Sequence, residues 1–103
     1  MSLFGGDYRE PVAKLGGTFA MVFRAKIYRD GDVVIQHVFG GSVLEFNIYD
    51  VTSITLTSGG WGKSRVVING EGVTLGESNP MPVGKARELK NWLELQRRTF
   101  QDD

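Results

Sequence analysis

Three groups of residues in this chain have types and spacing that could do chemistry. The first is TSGGWGKS, residues 57–64. A phosphate-binding loop needs Gly, four residues, then Gly-Lys-Ser/Thr, so that backbone N–H groups and the lysine surround a phosphate where a helix begins. Gly62-Lys63-Ser64 supplies the end of that pattern, but Thr57 stands where the first Gly belongs, and the following RVVIN reads as a strand. The stretch is read instead as a Gly-rich strand connection with a Trp at its tip. The second group is His37, the only histidine, on an apolar row between Ile35 and Phe39. A general base needs a reacting group within hydrogen-bond reach and a partner that orients it. No Ser or carboxylate is placed for either role, so His37 is read as a core or rim residue. The third group is Asp30 and Asp32, which flank Gly31 but lack the other oxygen ligands of a calcium loop. Asp50 is read as a turn cap, and Glu45 stands alone. With one His and no Cys, thiolate chemistry and transition-metal sites have no donors to draw on. The expectation is a protein that is not an enzyme, with no catalytic residues, no cofactor and no metal.

Binding is the chemistry that remains. Arg24, Lys26, Lys63 and Arg65, together with Trp61, are the candidate ligand- or partner-binding residues. Basic groups interleaved with aromatics can hold single-stranded nucleic acid or anionic lipid headgroups. A solvated strand face of mixed charge, diluted by Glu45 and Glu71, is the competing reading. Trp61 has two readings as well. It either folds back on the mouth of the fold or stands exposed as an interface anchor, a role in which aromatics are enriched.

The chain as a whole sets the bounds. Its 103 residues make one domain, able to bury enough surface to fold without staples. Twelve basic and twelve acidic side chains cancel. Bulk charge therefore draws the protein neither to nucleic acid nor to an anionic membrane, and weak self-repulsion favours self-association. No run has the length of a transmembrane segment, and no signal peptide pattern opens the chain. A cytoplasmic location is expected.

The elements that must position these residues follow from periodicity. Residues 1–17 have no clean period and are read as an N-terminal arm or an extra strand. Residues 18–28 read as a strand with Phe19, Met21, Phe23, Ala25 and Ile27 on one face. The loop Arg29-Asp30-Gly31 offers two registers. A three-residue loop with Gly31 left-handed sets Ile27 opposite Val33 and Phe23 opposite His37, keeping apolar rows together. Residues 33–39 form the next strand. Gly40-Gly41 reads as a two-residue loop that pairs Ile35 with Phe46 and Val33 with Ile48. The third strand is 43–49, with Leu44, Phe46 and Ile48 inward; strands at 54–57, 65–69 and 73–77 follow. After Pro80 the period lengthens to that of a helix. It runs from 83 to about 100, buries Ala86, Leu89, Leu93 and Phe100, and carries Trp92 on its flank.

The predicted fold is mainly β: a small antiparallel barrel or sandwich of six or seven strands, residues 18–103, capped by one C-terminal α-helix. Its central pieces, FNIYDVTSITL, SGGWGK and SRVVING, with the closing helix VGKARELKNWLELQRR, resemble bacterial pleckstrin-homology-like (PH-like) domains. The resemblance covers roughly residues 18–98. It implies a binding and assembly module; bacterial members often form rings, and eukaryotic lipid binders use a basic cluster around the first hairpin. Here that hairpin offers Lys26 and Arg29, but Asp30 and Asp32 sit beside them, which departs from the phosphoinositide pattern. The resemblance also implies a seventh strand, to come from residues 1–17 or from a division of the first strand. The leading expectation is a non-enzymatic module acting by self-association, as a homo-oligomer, or by docking a protein partner. The alternatives are a binder of anionic lipid or single-stranded nucleic acid and a structural component of a phage or secretion particle.

Overall fold

The computed structural model describes residues 9–18, 21–38 and 43–102. Eight strands and one helix follow one another: β1 Ala13–Gly16, β2 Phe23–Ile27, β3 Asp32–His37, β4 Val43–Asn47, a single 3-10 turn at Ile48–Asp50, β5 Ser53–Ser58, β6 Lys63–Asn69, β7 Thr74–Glu77, β8 Met81–Pro82 and α1 Val83–Gln101. They form two antiparallel four-stranded sheets. The first has the order β1-β2-β3-β4; in the second β6 lies between β5 and β7, and β8 also pairs with β6. Among the described residues no ladder joins the two sheets, so this is a pair of packed sheets and not a closed barrel.

Two strands lie beyond the six that the sequence marks clearly: β1, where an extra strand is expected, and β8, which exceeds the expected six or seven. β1 falls inside residues 1–17 and contributes only Ala13 and Leu15 to the core side. β8 is two residues long. The strand expected over 18–28 begins only at Phe23, because the chain turns before it. Gly16 and Gly17 have φ of 92° and 102°, and Met21 N donates to Thr18 O at 3.0 Å. Phe19, expected on the inward row, lies outside the described residues.

The β2–β3 hairpin has the predicted register, with Ile27 opposite Val33 and Phe23 opposite His37. Its loop closes through Tyr28 N to Asp32 O at 2.9 Å and Gly31 N to Tyr28 O at 2.9 Å, with Gly31 at φ 93°. That left-handed residue is what a three-residue loop demands. The β3–β4 register differs from the expected one by two residues: Ile35 faces Leu44, and Val33 faces Phe46. Gly40 and Gly41, expected to form the loop, lie outside the described residues, whose last pair before the connection is Gln36 with Val43. A shift of two preserves parity, and Leu44 and Phe46 therefore still point inward.

The cause of the shift lies at the other end of β4. Asn47 ends the strand opposite Asp32 and caps the 3-10 turn, its side chain accepting from Tyr49 N at 3.0 Å. Its Nδ2 donates to Asp30 O at 3.1 Å and to Asp32 Oδ1 at 3.0 Å. Ile48 N donates to Gly31 O at 2.8 Å. Ile48 is thus the start of a turn and not a strand residue, although it is fully buried as expected.

The core is built from the inward rows of both sheets and one stripe of the helix. Phe23, Ile27, Val33, Ile48, Ile68, Leu89 and Leu93 are all fully buried. Burying each such side chain is worth about 1.5–3 kcal/mol. The sheets approach most closely where β7 passes β4: a Cβ on Gly76 would collide with the Leu44 side chain. α1 packs on β5, β6, β8 and the 3-10 turn. Its buried residues are Ala86, Leu89, Leu93 and Gln96, while Trp92 and Phe100 are half-buried at its margin. The C-terminal turn is tied down by Gln101 Nε2, which donates to Ile48 O at 2.6 Å and Val51 O at 3.2 Å.

Candidate functional site

The β5–β6 hairpin presents the first candidate group. Ile54 and Leu56 on β5, and Val66 and Ile68 on β6, alternate inward and fix the ladder in an unbroken register from Ser53↔Asn69 to Ser58↔Ser64. At its tip Gly59 N donates to Lys63 O at 3.1 Å and Lys63 N to Gly60 O at 3.2 Å. Gly60 and Gly62 have φ of 119° and 69°. Trp61 between them is 100% exposed and so does not fold back on the mouth of the fold. A tryptophan with no contact to its own fold costs solvation and gains nothing in the isolated chain.

The same geometry disposes of a phosphate loop. Lys63 and Ser64 open a strand, and the backbone N–H groups of Gly59 and Lys63 are already engaged within the turn. α1 begins beside Lys63, which pairs with its N-cap Pro82, but no helix follows the glycines in sequence as the phosphate loop requires.

Lys63 is exposed and carries no ion pair among the described residues. Arg65, two residues along the same face, reaches across to Glu77 on β7 at 3.4 Å; both side chains are more than a third exposed. Such a pair is worth little in water and leaves Arg65 able to exchange partners.

Arg24 and Lys26 lie elsewhere, on the outer face of the first sheet. Arg24 stands opposite Gly16 and Gln36, and Lys26 opposite Lys14 and Val34. Lys14 completes a row of three basic residues on that face; four-residue β1 gave no alternation from which to place it. Among the described residues none of the three has an ion-pair partner. A shallow recess of about 330 Å³ adjoins them, lined by Arg24, Lys26, Tyr28, Val34, Val43 and Glu45 among others. Trp61, Lys63 and Arg65 do not line it. The five residues expected to form a patch therefore divide into two groups on two sheets.

Asp30 and Asp32 serve the fold. Arg9 Nη1 lies 2.8 Å from Asp30 Oδ2 and 2.9 Å from Asp32 Oδ2, and its guanidinium sits 4.2 Å above the centre of the Tyr28 ring. This cation–π stack and paired salt bridge hold the segment before β1 against the β2–β3 loop. Arg9 lies 21 residues from Asp30, so no local spacing reveals the pairing. His37 is half-buried opposite Phe23, with no hydrogen-bond partner among the described residues. No three His, Cys, Asp or Glu side chains gather into a possible metal site among those residues, and no helix there is long and apolar enough to cross a membrane.

Comparison with protein-family models, with curated proteins and with solved structures returns no significant match for this chain.

Proposed function

We propose that the protein is a non-enzymatic interaction module of the bacterial PH-like type, working by self-association with Trp61 as its anchor. The observation that carries this reading is the complete exposure of Trp61 at the tip of the β5–β6 hairpin, between two left-handed glycines. A ring already held away from its own fold gives up no intramolecular contact on entering an interface. Indole side chains held this way are frequent hot spots of association. The PH-like reading is supported by the order of elements: a four-stranded meander, a second meander, then one helix packed on the second sheet. Zero net charge removes a barrier to self-contact. Replacing Trp61 with Ala tests the reading. The oligomer mass should fall while the circular dichroism spectrum of the folded chain stays the same; an unchanged oligomer mass would remove Trp61 from the account.

A second reading has its own observation. Lys14, Arg24 and Lys26 share one sheet face without an ion pair among the described residues, and Arg24 and Lys26 line a recess. This supports binding of an anionic ligand, either lipid headgroups or single-stranded nucleic acid. Such binding should weaken steeply with salt, and a salt-insensitive interaction would count against it.

A further inference from the structure

A sheet edge exposes unpaired backbone groups, and folded proteins blunt such edges with short strands, charges, prolines or covering elements. Three of the four edges here are blunted. β1 is four residues long, carries Lys14, and is bounded by Pro11 and by two left-handed glycines. β4 carries Glu45 and is flanked by β7. β7 carries Glu77 and β8 carries Pro82, with Pro80 between them. β5 has neither charge nor proline: Ser-Ile-Thr-Leu-Thr-Ser is six residues long, is paired among the described residues only with β6, and is covered by α1 only in its first half.

The phase of the ladder says which groups face outward. Gly59 N bonds Lys63 O, and antiparallel pairs alternate between bonded and unbonded. The odd-numbered residues of β5 therefore bond to β6, and the N–H and C=O of Ile54, Leu56 and Ser58 point to the open edge. No other backbone bond reaches them among the described residues. α1 packs beside β5, and Ile54 is only 4% exposed, so the first half of this edge is closed. Thr57 and Ser58 are exposed, next to the Trp61 turn.

We propose that the C-terminal half of β5 pairs antiparallel with β5 of a second copy of this chain, about a two-fold axis that sets Thr57 opposite Thr57 of the partner subunit. This register keeps inward side chains opposite inward ones, because parity matches Leu56 with Ser58 of the partner subunit. It uses only the accessible backbone of Leu56 and Ser58. It places a Thr–Thr pair, favourable across strands, at the centre. Nothing charged lies on β5 to repel a second copy. Each Trp61 then passes the start of the other copy's β5, where its ring gains a surface to cover. The proposal rests on the self-association reading and supplies its geometry.

The test uses the full chain, three variants of β5 and Trp61→Ala, followed by analytical ultracentrifugation and native mass spectrometry. Ser58→Pro removes an edge-facing N–H that the single chain does not use, and should weaken the dimer by about tenfold or more. Thr57→Lys and Thr57→Glu each set like charges across the axis and should weaken self-association similarly. Mixing the two should restore a dimer that is predominantly heteromeric. Circular dichroism melts identify a variant that fails to fold, and the mixing experiment decides the matter if Ser58→Pro is one. A wild-type chain that remains monomeric overturns both this proposal and the self-association reading. A wild-type oligomer that survives all three variants but is lost on Trp61→Ala overturns the β5 pairing and leaves the reading standing.

Discussion

Replacing Asn47 with Ala should lower stability by about 2 kcal/mol, although the residue is half-buried and touches no apolar core. The figure follows from its bonds. As the cap of the 3-10 turn it accepts from Tyr49 N at 3.0 Å, and a lost cap costs about 1 kcal/mol. Its Nδ2 bonds to Asp30 O and Asp32 Oδ1 at 3.1 and 3.0 Å add about 1 kcal/mol more, a modest net value because water can replace part of them. For a chain of this length the unfolding entropy is about 0.2 kcal/mol per kelvin, so the melting temperature should fall by about 9 °C. Thermal unfolding followed by circular dichroism, with urea unfolding at 25 °C as a check, measures it. Asn47→Asp separates the two contributions. It keeps the acceptor for Tyr49 N but loses both donors and brings a third carboxylate to Asp30 and Asp32, so it should be no more stable than the Ala variant. A fall of less than about 3 °C for Asn47→Ala, or an Asp variant as stable as wild type, would refute the claim that this side chain locks the β2–β3 loop to the end of β4.

Other perturbations have equally definite outcomes. Leu89→Ala, at a fully buried position of α1, should cost about 2–5 kcal/mol in urea unfolding, depending on how far the site collapses. Gly76→Ala should cost about 1–3 kcal/mol, because the new methyl group meets the Leu44 side chain between the sheets; a neutral result would mean that β4 and β7 are not in close contact. Arg9→Ala should cost about 1 kcal/mol or less, and the loss should shrink at high salt, since the pairs with Asp30 and Asp32 are exposed. At concentrations where the chain is monomeric, Trp61→Ala should change stability by less than about 0.5 kcal/mol. A larger loss would contradict its complete exposure.

How far the sequence reveals this arrangement depends on where each determinant sits. The β2–β3 register is legible because Gly31 and the parity of Ile27 and Val33 lie within a few residues of each other and agree. The stripe Ala86, Leu89, Leu93 is legible because a helix repeats its pattern over several turns. Gln96 is missed because a polar residue at a buried position breaks that pattern. The β3–β4 register misleads because Gly40-Gly41 is a good local turn signal, while the bonds that set the alignment run from Asn47 to a loop 17 residues earlier. For the binding residues, alternation tells which face of a strand Arg24 or Arg65 occupies but not which sheet the strand joins. Two basic stretches that look equivalent therefore end up apart. The exposure of Trp61 is undecided by sequence, since flanking glycines allow the ring to fold back or to project.

The central claim, that this chain works by associating with itself through the Trp61 end of the β5–β6 hairpin, is tested most directly by native mass spectrometry of the untagged wild type beside Trp61→Ala. The account predicts one discrete species at a whole multiple of the chain mass for the wild type, without added ligand, and a shift to monomer for the variant. A wild type that is monomeric and carries lipid or nucleotide mass would contradict it and direct attention to Lys14, Arg24 and Lys26.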